Sequence, residues 1–305
     1  LVDNLRSWID PVDSGIVSRK LDAMDFVFGA QCNLLEYELY RKTSSLLIDE
    51  SEVLPSIIFK IFTFASAAYW DSLDNDSMAY DNLYSSTVFQ PGHEYQELNN
   101  LLFVPQAVVS FMNHVTNRIH PLLYPVVAIH VMRGALRAIT RTGSFADGRS
   151  EPNAWWSIAT AKKYDDIVAC LQSQYETPQA TRSSVSAMED NLLDAAALYP
   201  LFRMYIADLG KLNSSRQFIS TGWRRIEVEE IFFYNFAAAH CDASSSDALS
   251  EKRYLGVTPP RLRVNVPLRN LKLFAKAFKC PVGSYMNPVR KCAVWTRPRI
   301  ESRGE

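Results

Sequence analysis

Residues 184–209 read SVSAMEDNLLDAAALYPLFRMYIADL. Apolar residues recur there at helical spacing after a polar entry at Ser184 or Ser186, so the stretch reads as one long helix. It carries an acidic pair, Asp190 and Asp194, four residues apart and so stacked on one face beside the apolar stripe. Like charges at that spacing are mildly unfavourable. Two readings of the pair stay open: a solvated polar face, or a metal ligand with a second carboxylate behind it.

The same period extends outward on both sides. Residues 155–175 repeat it with Trp156, Ala159, Tyr164, Ile167 and Leu171 as apolar positions. Residues 227–241, EVEEIFFYNFAAAHC, form a further helix with acidic residues in its first turn, where the macrodipole favours them. Residues 122–139, LLYPVVAIHVMRGALRAI, become helical past Pro125, and 143–153 read as a plain loop. Toward the N-terminus, residues 1–80 read as helix after helix. Leu5, Trp8, Ile9, Val12 and Ile16 share one face, with Pro11 near an end or a kink. Met24, Phe26, Val27 and Phe28, then Leu34, Leu35, Tyr37, Leu39 and Tyr40, continue as apolar helix faces, and 53–69 is a strongly apolar helix. Residues 71–100 are a polar, turn-rich connection, and 101–111 begin strand-like before Pro105 interrupts. Residues 243–250 read as a loop, 257–266 open with a short extended piece, and a helix follows around 271–278. The expected fold class is mainly α with minor β.

The chain has 305 residues, 48% of them hydrophobic and 21% charged, a globular composition that excludes a disordered or collagen-like chain. That length makes one to two domains. Lys and Arg number 32 against 33 Asp and Glu, a formal charge of -1 that demands neither nucleic acid nor an anionic membrane. From residue 251 to the end, thirteen basic residues stand against three acidic ones, which reads as a solvated or ion-paired face ahead of a polyanion-binding one. No apolar run approaches the roughly 18 residues of a membrane span, and the opening LVDNLRSWID resembles no signal peptide. The missing initiator Met leads us to expect a chain that begins inside a larger protein.

The commonest hydrolase and nucleotide motifs, GxSxG, GxxxxGK[ST] and GxGxxG, are absent. The histidines are His93, His114, His120, His130 and His240, and none stand four apart as two imidazoles on one helix face must to share a metal. Five cysteines without a CxxC fit either buried thiols or a disulfide protein whose other partners lie elsewhere.

The C-terminal stretch 257–295, VTPPRLRVNVPLRNLKLFAKAFKCPVGSYMNPVRKCAVW, adds a resemblance. Arg263-Val264, Asn270 to Cys280, Met286-Asn287-Pro288, Arg290-Lys291 and Cys292 to Trp295 stand in the order found at the end of the neprilysin and endothelin-converting-enzyme family, the M13 zinc metalloendopeptidases. IFFYNFAAAHC is similar to that family's Phe-Phe-x-x-Phe-Ala helix closing on a cysteine, here Cys241. Trp155-Trp156 followed by Cys170 resembles its double-Trp helix, and LVDNLRSWID its Trp-Met-Asp helix. The likeness covers about residues 1–295, with the family's large N-terminal portion absent. The fold it implies is the C-terminal catalytic half of an M13 ectodomain: residues 1–85 as the end of the N-terminal region, 86–295 as the catalytic-type domain, and 296–305 as a tail of no assigned role.

What the resemblance implies for chemistry turns on the family's Gly-His-Glu-x-x-His helix, in which two His bind zinc and the Glu activates water. Its counterpart here is VVAIHVMRGAL. One register puts Ile129 and Arg133 at the ligand positions and His130 at the base. A slide of one puts His130 and Gly134 at the ligands and Val131 at the base. The third ligand, from Gly-Glu-Asn-x-x-Asp, corresponds to Asp190, and the supporting carboxylate to Asp194. Val257 replaces the oxyanion-stabilising His, Arg263 is retained, and Tyr95 is all that matches the strand that holds substrate backbone. By the same resemblance Cys170 pairs with Cys292, Cys241 and Cys280 bond to cysteines of the absent N-terminal portion, and Cys32 has no counterpart.

The expectation is therefore a neprilysin-like pseudopeptidase, extracellular or the ectodomain of a membrane protein. It would bind a peptide or protein partner in the old cleft through Tyr95 and Arg263, with no zinc expected. The alternatives are an active zinc endopeptidase using His130, Asp190 and another His, or a truncated product that folds poorly alone.

Overall fold

The computed structural model describes residues 8–29, 51–74, 92–115, 123–148, 152–176, 185–211, 218–220 and 225–294. In chain order its elements are α1 (Ser14–Asp22), β1 (Asp25–Gly29), α2 (Leu54–Asp74), β2 (Glu94–Gln96), β3 (Leu101–Pro105) and α3 (Gln106–Val115). A π-helical turn, Leu123–Ala128, leads into α4 (Ile129–Arg137), and a short 3-10 turn spans Thr142–Phe145. Then come α5 (Ile158–Tyr175), α6 (Val185–Lys211), β4 (Phe218–Ser220), β5 (Arg225–Glu227), α7 (Val228–Ala238), α8 (Ser246–Tyr254), α9 (Pro260–Asn270) and α10 (Lys272–Ala277). Three strands lie in the order β1-β3-β2, and β4 pairs antiparallel with β5, Ile219 opposite Ile226. The fold is mainly α with a small β component. Among the described residues no helix is long and apolar enough to cross a membrane.

The chain divides into two units. The smaller comprises Phe26–Glu94 and Phe103–Ser110. In it Gly29 has φ +81°, and a Cβ there would come within 2.3 Å of Gln106 Oε1, so both backbone conformation and space call for glycine. The larger comprises Leu1–Asp25, Tyr95–Leu102 and Phe111–Glu305. Two buried anchors hold the first segment to the rest of its unit. Lys20, on α1, donates to the carbonyls of Gly143 and Ala146, while Asn100 Nδ2 donates to the Lys20 carbonyl at 2.8 Å. Asp13 accepts from Ser157 N and Oγ and from Thr160 Oγ1, the last at 2.6 Å.

The core of the larger unit gathers on α6. Leu192, Leu193, Ala197, Leu198 and Tyr205 are buried along it, each leucine contributing about 2 kcal/mol by leaving water. Phe202 stacks on Phe233 of α7 at 5.0 Å, and Phe233 meets Phe274 of α10 edge-on at 5.3 Å. Tyr205 donates its hydroxyl to the Val228 carbonyl at 2.9 Å, tying α6 to the start of α7. Pro200 lies inside α6, which continues through it. Cys170 of α5 is joined to Cys292 by a disulfide, and Cys241 and Cys280 are free thiols. Cys32 and residues 295–305 lie outside the described residues.

Four sequence expectations need correction. Residues 8–13 are turns, and α1 begins only at Ser14, because Asp13 spends its carboxylate on Ser157 and Thr160 rather than on a cap. Residues 25–29 form a strand, not a helix face: the rings of Phe26 and Phe28, two residues apart, stack at 6.2 Å, the signature of a period of two. The serine run at 243–250 starts a helix, with Ser245 Oγ accepting from Ala248 N at 3.3 Å and Asp247 in the first turn. Residues 260–270 are helical rather than extended, Pro260 supplying the fixed φ of a first helical residue.

Candidate functional site

Three helices bring the sequence-selected residues together. α4 presents Arg133 and Arg137 one turn apart, α6 presents Glu189, Asp190 and Asp194, and α9 presents Arg263. Asp194 is wholly buried and stands between two guanidiniums. Arg263 takes its Oδ2, with Nε at 2.8 Å and Nη2 at 2.7 Å. On the other oxygen, Arg133 Nε lies 3.2 Å from Oδ1, an ion pair whose alignment falls short of a hydrogen bond. The same guanidinium donates through Nη2 to Asp190 Oδ1 at 3.1 Å. Arg137 extends the ladder, its Nη1 3.5 Å from Asp190 Oδ1 and its Nη2 3.5 Å from Glu189 Oε2. Glu189 also accepts from Thr142 Oγ1 at 2.7 Å, and Asn191 Nδ2 donates to Thr258 Oγ1 at 2.7 Å.

His130 belongs to this neighbourhood. Burial pushes its imidazole down to about 4, the Arg133 charge acting in the same direction and Asp194 opposing it. Burial lowers His240 as well; its Nδ1 is 2.9 Å from the Phe236 carbonyl. Both rings are therefore neutral at pH 7. Burial would lower Arg263, but the Asp194 carboxylate outweighs that and raises it, so its charge is permanent. Beside this cluster a cavity of about 340 Å³ is lined by His240, Cys241, Lys252, Val257, Thr258 and Arg263 among others. Val257 and Arg263 thus share a wall of this cavity.

The donor set around Asp190 and Asp194 is as follows. Ile129 is apolar and buried, and Arg133 puts a positive charge against both carboxylates. Among the described residues no three His, Cys, Asp or Glu side chains converge as a metal requires. Tyr95 is engaged elsewhere. Its hydroxyl donates to Asn100 Oδ1 at 2.8 Å, its ring lies 5.7 Å from Lys20 Nζ, and burial raises its phenol well above the usual range. Sequence reasoning passed over Arg137 and Glu189. The spacing was present, Arg133 and Arg137 standing four apart on one helix face as Asp190 and Asp194 do on another; that the two faces meet is shown only by the fold.

Over residues 127–294 the sequence matches peptidase family M13. It is 23% identical over 301 residues to Neprilysin-21 of Caenorhabditis elegans, an alignment covering 94% of this chain and 38% of that protein. To the endothelin-converting enzyme homolog of Locusta migratoria it is 23% identical over 293 residues, covering 94% of this chain and 40% of the other. Its fold matches the zinc metalloprotease Zmp1 of Mycobacterium tuberculosis, solved with an inhibitor, at a TM-score of 0.69 and 18% identity, over 97% of this chain and 46% of that one. The chain spans less than half the length of these relatives. With its C-terminal helices, its disulfide and just over half of its residues in that match, the chain belongs to peptidase family M13.

Proposed function

We propose that this chain is a non-catalytic, neprilysin-like member of its family, one that holds no zinc and binds a peptide or protein partner in the cleft its relatives use for proteolysis. One observation carries the reading: Arg133, which one of the two registers of the family resemblance puts at a zinc-ligand position, sits against Asp190 and Asp194 at 3.1 and 3.2 Å. Zinc needs about three protein ligands and a bound water. Asp190 is one carboxylate, Ile129 offers no donor, and no Glu stands beside His130 to take the water's proton. These residues do not fit the metal.

The cavity beside Arg263 supports a binding role. Val257, Pro259 and Pro260 give it an apolar wall, and Thr258 and Arg263 supply polar groups for a peptide backbone. The Cys170–Cys292 bond favours an oxidising, extracellular setting. In this reading the free thiols of Cys241 and Cys280 are points of attachment for an N-terminal M13 portion.

The test is zinc content by elemental analysis of the oxidised protein, beside His130→Ala and Asp190→Ala controls, together with cleavage of small extracellular peptides. Metal-free protein without cleavage is the expected result. One zinc per chain, lost in both variants and accompanied by chelator-sensitive cleavage, would make the chain a working metalloendopeptidase instead.

A further inference from the structure

The following rests on the reading that the site holds no zinc, and concerns what stands where the ion would. Asp194 has no contact with solvent, and a buried carboxylate is costly without a counter-charge and hydrogen bonds. Arg263 answers one of its oxygens. The other faces Arg133, whose side chain is only 12% exposed and whose guanidinium reaches Asp190 with a second nitrogen. One planar cation on α4 thus spans two carboxylates one turn apart on α6. A metal ion held between such helices does the same work. With Arg137 included, three guanidiniums meet three carboxylates, and no negative charge is left over to attract a dication.

We propose that Arg133 is a built-in cation that has taken over the structural role of the metal, closing α4 against α6 as a permanent part of the chain. Lysine cannot replace it, because an ammonium is a point charge while this contact uses two nitrogens of a rigid fork. Occupancy of the seat is then independent of metal supply, and removing the guanidinium reopens the seat to an external cation.

The experiment compares thermal unfolding of the wild-type chain, Arg133→Met and the double variant Ile129→His with Arg133→His, each with zinc chloride and with EDTA, alongside zinc content. The wild type is expected to carry no zinc and to melt within about 1 °C under both conditions. Arg133→Met should melt roughly 5–10 °C lower, the loss expected when one partner of a buried pair is removed. The double variant should take up one zinc per chain, gain stability with it and lose that gain in EDTA. An Arg133→Met protein as stable as wild type would overturn the inference while leaving the non-catalytic reading intact. So would a double variant that neither binds zinc nor is stabilised by it. One zinc on the wild-type chain would overturn both.

Discussion

Lys20 and Asp194 are both enclosed by protein, and the fold meets their charges in different ways. Asp194 is given two opposite charges. Lys20 is given two carbonyls, those of Gly143 and Ala146, and the rings of Tyr95 and Trp155 at 5.7 and 6.0 Å. Burial outweighs these dipoles and ring faces and the opposing Glu97 and Asp147 charges, so the Lys20 amine is pushed down to about 8. The folded value lies below the unfolded one, so the fold holds the charged amine at a cost below about pH 8. That cost is released as pH rises toward 10.5, where the unfolded chain also loses its proton. Over that window wild-type stability should therefore rise relative to Lys20→Met, by up to about 3 kcal/mol. Urea unfolding of both proteins at pH 7.5 and 9.5 measures it, and a difference that does not change with pH would contradict the account.

Among the elements, α7 shows how much one aromatic position holds. Phe233 touches Phe202 of α6, Phe274 of α10 and Phe278 just beyond it, with ring centroids 5.0, 5.3 and 6.1 Å away. Phe233→Ala should cost about 3–5 kcal/mol, read as a lower urea midpoint at an unchanged slope. Helices of this kind were legible from sequence, because long apolar faces of period 3.6 leave little ambiguity: the helices at 54–74, 158–175, 185–211 and 228–238 lie where the pattern put them. Short pieces were not. Five residues at 25–29 are too few to tell a period of two from one of 3.6, and serines or prolines at 243–250 and 257–266 mark a helix start as readily as a loop. The site was half legible. Asp190, Asp194 and Arg263 could be selected because a motif carries them. Arg137 and Glu189 belong to no motif; only the facing of α4 on α6 turns a row of arginines and a row of acids into a ladder.

For the molecule as a whole, the Cys170–Cys292 bond spans 122 residues, a long loop, and the entropy a cross-link removes from the unfolded chain grows slowly with loop length. Replacing both cysteines by serine should lower stability by about 2–5 kcal/mol, measurable by denaturant unfolding in oxidising buffer. The family's fold is kept at 18–23% sequence identity, as expected when core packing and site chemistry are separate demands on a sequence. The bond also has a topological result. The ring it closes contains α6, α7, α8, α9 and α10, and with them Asp190, Asp194 and Arg263. A protease that nicks the exposed turn at 242–245 inside that ring yields two fragments that stay covalently linked, Arg263 on one and the other members of the charge ladder on its partner. Such a nicked molecule would migrate as one species until a reductant is added.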